Sequence, residues 1–276
     1  MINMIMSYKE YCSFLEKRIL SGDDFYLSLL KNVIDNPTRY CGLFRLSNAR
    51  TKLIQNVTQS QEIKFGDIME DVTTEYLSRL GYKNFDKNLG KDENGDELNV
   101  DQYFTDGSKV YVVEMKIRDD HDSTKKRGQY SNFHKKVNLI RKKHPGKHIV
   151  GAMWFVDDGL VKNKNYYKGE MDMETFSSCE LHLYYGSEFF DSLKDGSAAW
   201  AELIEILTKY RIQNMSKDIE IPDFGSSEVI LKALIKLDSK SWKKLMSNDS
   251  KYDLLRKELF SNGKNLEEAK KRRGIL

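Results

Sequence analysis

The stretch Val100-Asp101-Gln102-Tyr103-Phe104-Thr105-Asp106-Gly107-Ser108-Lys109-Val110-Tyr111-Val112-Val113-Glu114-Met115-Lys116-Ile117 decides the fold. β-Branched and aromatic residues stand on both sides of Asp106-Gly107-Ser108, which is the pattern of a β-hairpin with a tight turn. Two turn positions are open. A loop of Gly107-Ser108 puts Asp101 directly opposite Glu114, and a loop of Asp106-Gly107 makes the two diagonal neighbours. Side chains alternate faces along a strand. In both registers Asp101, Glu114 and Lys116 therefore project from the same face. A three-residue loop breaks that parity unless a bulge restores it.

Two opposed carboxylates on a sheet are unfavourable. Here they interrupt the apolar run Val110-Tyr111-Val112-Val113 and precede Ile117, so they are expected to be partly buried. Like charges in that setting need compensation, most simply by a divalent cation. An all-oxygen set completed by water and phosphate suits Mg²⁺. Lys116 shares the face and could steady an attacking water or the charge growing on a phosphate. An exposed polar hairpin face is the competing reading.

Working outward, Phe65, Ile68, Met69, Val72, Tyr76, Leu77 and Leu80 form one apolar stripe at helical spacing, stopped by Gly81. Glu70 sits at the edge of that stripe, where it is expected either at the carboxylate site or on the surface. Asp86–Glu97 reads as a polar loop. After Ile117, the polar stretch Asp119–Gly128 leads to a helix from about Gln129 to Lys143, stopped by His144-Pro145-Gly146. Gln129 lies on the apolar face of Phe133, Val137 and Ile140. An amide aimed at the sheet needs a partner, and the carboxylates could supply it. Ile149–Val156 reads as a central strand and Leu181–Tyr185 as another. Helices are expected in the first 56 residues, and again at Glu188–Leu193, Ala198–Tyr210, Ser227–Leu237 and Tyr252–Phe260, followed by a basic tail.

The 276 residues allow one or two domains with a substantial core. With 13 Phe and 15 Tyr the chain is not disordered. No apolar run reaches membrane-spanning length. Met1–Met6 lacks a basic n-region, so a signal peptide is not expected. Cys12, Cys41 and Cys179 are too far apart for a metal knuckle and too few for a disulfide framework, so a cytoplasmic location is expected. The net charge is +3. It is unevenly spread: Lys116–His148 holds eleven Lys/Arg against three Asp, a segment charge of +8 that leaves −5 elsewhere. A local basic stripe suits a polyanion partner, with a solvated helix face as the alternative. Asp92–Asp96 imitates an EF-hand opening, but Glu97 and Tyr103 occupy its glycine and closing-glutamate positions. There is no nucleotide phosphate loop. Pro145-Gly146 spoils a zinc pair of His144 and His148. Asn56-Val57-Thr58 is an acceptor sequon only in a secreted protein.

The set resembles the PD-(D/E)xK nuclease superfamily. Val100-Asp101 stands for its first half, with Val in place of Pro, and Glu114-Met115-Lys116 for its second. Glu70 on the preceding helix and Gln129 on the following one extend the likeness. The stretch from Lys116 to Gln129 and the stretch Tyr184-Tyr185-Gly186-Ser187-Glu188-Phe189-Phe190 resemble type II restriction endonucleases. The resemblance implies an α/β (α+β) fold with a restriction-endonuclease-like core, a central mixed β-sheet flanked by helices. It implies a nuclease core at residues 61–215 between helical segments at 1–60 and 216–276, or one compact domain overall. It implies Mg²⁺-dependent cutting of both DNA strands at a short sequence. Asp101, Glu114 and Glu70 would be metal ligands, with Lys116 and Gln129 completing the catalytic set. A homodimer and a cognate methyltransferase are the implied partners. Lys125, Lys126, Arg127, Lys135 and Lys136 are candidate DNA contacts. The competing functions are a repair or structure-specific nuclease of the same fold and a non-catalytic DNA-binding protein.

Overall fold

The computed structural model describes residues 4–18, 22–42, 44–91, 95–117, 125–174, 178–214 and 221–274. The chain divides into two units, Met1–Leu15 with Phe65–Asn214, and Glu16–Lys64 with Met215–Leu276. Helix α4 (Ala49–Arg79) supplies residues to both.

The first unit is built on a five-stranded sheet in the order β1 (Lys83–Asn84), β4 (Gln102–Thr105), β5 (Lys109–Lys116), β6 (His148–Phe155), β7 (Cys179–Tyr185). β1, β4 and β5 are antiparallel neighbours, whereas β5, β6 and β7 run parallel. The parallel pairs require crossovers, supplied by α5 (Lys125–Lys143) and α6 (Lys164–Asp172). The fold is thus α/β with a central mixed sheet flanked by helices, as expected. In the hairpin Gln102 pairs with Val113, Tyr103 with Val112 and Thr105 with Val110. This is the Gly107-Ser108 register. Gly107 takes φ 96, and the Asp106 carboxylate accepts from the Ser108 and Lys109 amides at 2.8 and 2.7 Å.

The two sheet faces are covered differently. Val110, Val112, Tyr103, Ile149 and Met153 pack under Phe133, Val137 and Ile140 of α5. Gly151 makes that approach possible, because a Cβ there would lie 2.8 Å from Leu181 and 3.0 Å from Val137. On the opposite face Phe104 stacks flat on Tyr111, and Trp154 packs on Phe189 of α7 (Glu188–Asp191). Tyr76 of α4 meets Phe190 edge-on. Further along, α8 (Gly196–Asn214) holds the N-terminus, since Glu202 accepts from the Ile5 and Met6 amides at 2.8 and 2.6 Å. Helix α1 (Tyr8–Arg18) buries Tyr11 and Leu15.

Three local readings are corrected. The expected Asp86–Glu97 loop contains strand β2 (Asn88–Lys91), which pairs with β3 (Glu97–Asn99) as a separate two-stranded sheet. The chain leading into the hairpin is therefore two strands, β3 and β4, with Asp101 at the bend between them. Lys125, Lys126 and Arg127, expected in a loop, form the first turn of α5.

The second unit is helical. It contains α2 (Gly22–Asp35), α3 (Pro37–Tyr40), α9 (Glu228–Lys236), α10 (Ser239–Leu245), α11 (Ser250–Leu259) and α12 (Asn265–Arg272). Leu30, Val33, Ile34 and Leu53 share one buried cluster with Ile230, Leu234, Trp242 and Leu255. The N-terminal and C-terminal helical segments thus enclose a common core. The basic tail is not loose either, because Arg273 donates to the Leu234, Ile235 and Leu237 carbonyls and its guanidinium lies over Trp242.

Candidate active site

Strand β5 carries the centre of the site. Val110 and Val112 face α5, so strand parity sends Glu114 and Lys116 to the same side. Glu114 is only 4% exposed. Asp101 lies where the register would put it opposite Glu114, and its Oδ2 accepts from the Met115 amide at 2.6 Å. Lys116 Nζ stands 4.0 Å from Glu114 Oε2.

Crowding of charge marks this place. Burial pushes the Asp101 carboxyl well above the usual carboxylate range, and the neighbouring Glu114 and Glu70 add to the effect while Lys116 opposes it. Glu70 is raised to about 6, first by burial, then by Asp67, Glu114 and Asp71, against Lys87. The structure therefore brings Asp101, Glu114, Glu70 and Lys116 within electrostatic reach of one another.

One residue joins the cluster and another supports it from the opposite sheet face, neither of them expected there. Lys136 is only 5% exposed, and its ammonium contacts Glu114 Oε1. That placement corrects the reading of Lys136 as a surface DNA contact. Lys136 lies on the buried side of α5 with Tyr130, Phe133, Val137 and Ile140. It falls three residues after Phe133 and four before Ile140, a spacing that could have revealed its direction. Gln102, fully buried, ties α4 to the sheet. Its Nε2 donates to the Glu70 carbonyl at 2.8 Å and lies 3.3 Å from Met115 Sδ, and its Oε1 accepts from Thr74 at 2.8 Å.

Gln129 is placed differently from the expectation. Its Oε1 accepts from the Tyr167 hydroxyl at 2.7 Å, joining α5 to α6. Lys125, Arg127 and Lys135 are exposed on α5, and Lys126 lies 4.6 Å over the Tyr166 ring. Arg118–Thr124, the middle of the motif stretch between Lys116 and Gln129, lies outside the described residues. The Tyr184–Phe190 stretch turns β7 into α7. The Tyr185 amide donates to Glu188 at 2.8 Å, and the Gly186 carbonyl accepts from Trp154 Nε1 at 2.9 Å.

As to a metal, Asp101, Glu114 and Glu70 are the hard oxygen donors that a divalent cation prefers. Their mutual repulsion leaves negative charge for such an ion to neutralise. Among the described residues, however, no three His, Cys, Asp or Glu side chains close into a metal cage. Two donors are already engaged, Asp101 by the Met115 amide and Glu114 by Lys136. The donor set fits the ion in kind, and its closing requires Glu114 to exchange partners.

Residues 84–211 match a family model described as HinfI, type II restriction endonuclease. The matched span runs from β1 into α8 and contains Asp101, Glu114, Lys116 and Lys136, with Glu70 outside it. No curated protein matches the chain.

Proposed function

We propose that this chain is a type II restriction endonuclease, a DNA hydrolase that cuts both strands of duplex DNA with Mg²⁺ at the Asp101/Glu114/Lys116 cluster, a reading supported by the family match over residues 84–211. One observation carries the choice of site. Burial and two neighbouring carboxylates push up Asp101, and the cluster lies on the sheet face that ends at Lys116. Such a concentration of perturbed acids is common at catalytic centres.

Asp101 and Glu114, with Glu70 beside them, would hold the cation. When bound, it would supply a Lewis acid at the scissile phosphate and lower the pKa of a coordinated water. Lys116, half-buried two residues beyond Glu114, offers an ammonium to orient the attacking water and to meet charge developing on the phosphoryl oxygens. Attack in line on phosphorus breaks one P–O ester bond and leaves a phosphate and a hydroxyl end. The Met115 amide keeps the Asp101 carboxylate against the sheet throughout. The Glu70 backbone is tied to the sheet, its carbonyl accepting from Gln102 Nε2.

Exposed Lys125 and Arg127, with Lys126, line the first turn of α5 beyond that strand, and exposed Lys135 lies further along the same helix. Backbone N–H groups at a helix start favour anions, so this turn suits a DNA phosphate. A palindromic site calls for a two-fold protein, and so for a homodimer. A methyltransferase of the same specificity would protect host DNA, and the enzyme would act in the cytoplasm. Among the described residues no helix is long and apolar enough to cross a membrane.

Incubating the protein with plasmid and Mg²⁺ tests the proposal. Discrete fragments with a common terminal sequence are expected. A smear, or cutting confined to branched DNA, would favour a repair nuclease. Binding without cutting would favour a non-catalytic module.

A further inference from the structure

Lys136 is the one charged side chain of α5 that is buried. The cost of burying an ammonium is large unless it is paired, which fixes Lys136 to its partner. That partner is Glu114, itself buried. Lys116 approaches the other oxygen of Glu114 no closer than 4.0 Å. Among the described residues, the closest cation to the buried carboxylate is therefore Lys136. On α5 it is buried on the same side as the apolar row of Phe133, Val137 and Ile140.

This pairing conflicts with metal binding. An oxygen in contact with a buried ammonium cannot also face a dication at coordination distance without strong repulsion between the two cations. We infer that Lys136 is an internal counterion which occupies the metal side of Glu114 in the metal-free enzyme and must be displaced when a divalent cation binds. It preforms the site by holding Glu114 down against the repulsion of Asp101 and Glu70. It also weakens the site's affinity for metal, because the ion has to replace it.

The inference rests on the reading of Glu114 as a metal ligand, and the test separates the two. Mg²⁺ binding to DNA-free protein is measured by calorimetry and by the shift in unfolding temperature, for the parent, Lys136→Met and Glu114→Gln. Lys136→Met keeps the apolar stem and removes the charge. The expected result is Mg²⁺ binding tighter than the parent's by roughly tenfold or more. The metal-free variant should also unfold at a lower temperature, and Mg²⁺ should restore more of its stability than it adds to the parent. Lys136→Gln, which retains a donor to Glu114, serves the same comparison if the Met variant does not fold. Unchanged or weaker Mg²⁺ binding in the folded Lys136 variants overturns the inference. If Glu114→Gln binds Mg²⁺ as tightly as the parent, the ligand reading itself fails and takes the inference with it.

Discussion

The Met115 amide of β5 donates to Oδ2 of Asp101, in the bend between β3 and β4, at 2.6 Å. The first carboxylate of the site is thereby fastened to the strand that carries the second carboxylate and the lysine. Asparagine offers an acceptor in the same place without the charge. Asp101→Asn, which also removes a charge that Glu114 and Glu70 repel, should therefore be at least as stable as the parent. Asp101→Ala, which leaves the amide unpaired, should lose about 1 kcal/mol. Thermal unfolding of the two variants checks this.

Gln102 is a second fastening, from the sheet to α4. Replacing it with Leu leaves the Thr74 hydroxyl only the Glu70 carbonyl, also at 2.8 Å, as an acceptor and removes the amide that Gln102 donates to that carbonyl. A cost of about 1–3 kcal/mol is expected. Because Glu70 shifts with α4, cleavage should fall by more than the lower stability explains. Urea unfolding and cleavage rates, measured on the same preparation well below its midpoint, separate the two effects.

Gly151 lets α5 lie close on the sheet. A methyl group there meets Leu181 Cδ2, Val137 Cγ2 and Phe133 Cζ at 2.8, 3.0 and 3.3 Å. Gly151→Ala should cost about 1–3 kcal/mol and lift the helix that carries Lys136. A variant as stable as the parent would mean that α5 has slack to move.

Asp106 organises the hairpin turn. Hydrogen bonds from the Lys109 and Ser108 amides, Ser108 Oγ and Tyr111 hold its carboxyl at about 2, against the desolvation that opposes them. A depressed carboxyl contributes stability that is fully present above the ordinary value of 3.8 and lost as pH falls through about 2. Asp106→Ala should thus be less stable than the parent at neutral pH, by about 1 kcal/mol given its exposure. The difference should shrink between pH 4 and 2. Stability curves across that range test it.

The first turn of α5 makes a different kind of prediction. Changing Lys125, Lys126 and Arg127 to Ala should weaken DNA binding about equally on all sequences. It should also flatten the dependence of log K on log salt, by roughly one unit of slope for each phosphate that the protein no longer neutralises. A sequence-selective weakening would place these residues at the bases instead.

The hairpin and its register were legible because turn chemistry and strand parity are local rules. Asp106-Gly107-Ser108 and the alternation through Lys116 leave little freedom. The stripe from Phe65 to Leu80 was legible for the same reason, though α4 begins earlier, at Ala49, through residues whose packing partners lie far away in sequence. The direction of Lys136 was legible from its spacing to Phe133 and Ile140, but its partner was not, because a lysine within Lys135-Lys136 reads as solvated until the sheet beneath supplies Glu114. Gln102 sits inside an apolar strand, and its partners Thr74 and Glu70 come from another element. β2 and β3 were hidden by polar composition, since a two-stranded sheet needs little apolar surface of its own.

We propose that Asp101 serves the cutting reaction and not the fold alone. The most direct measurement is the rate of plasmid cleavage by Asp101→Asn beside the parent, with Mg²⁺ and DNA both in excess. The variant should fold, bind the same DNA and cut slower by at least roughly a hundredfold. A folded Asp101→Asn protein that cuts at the parent rate would contradict the account.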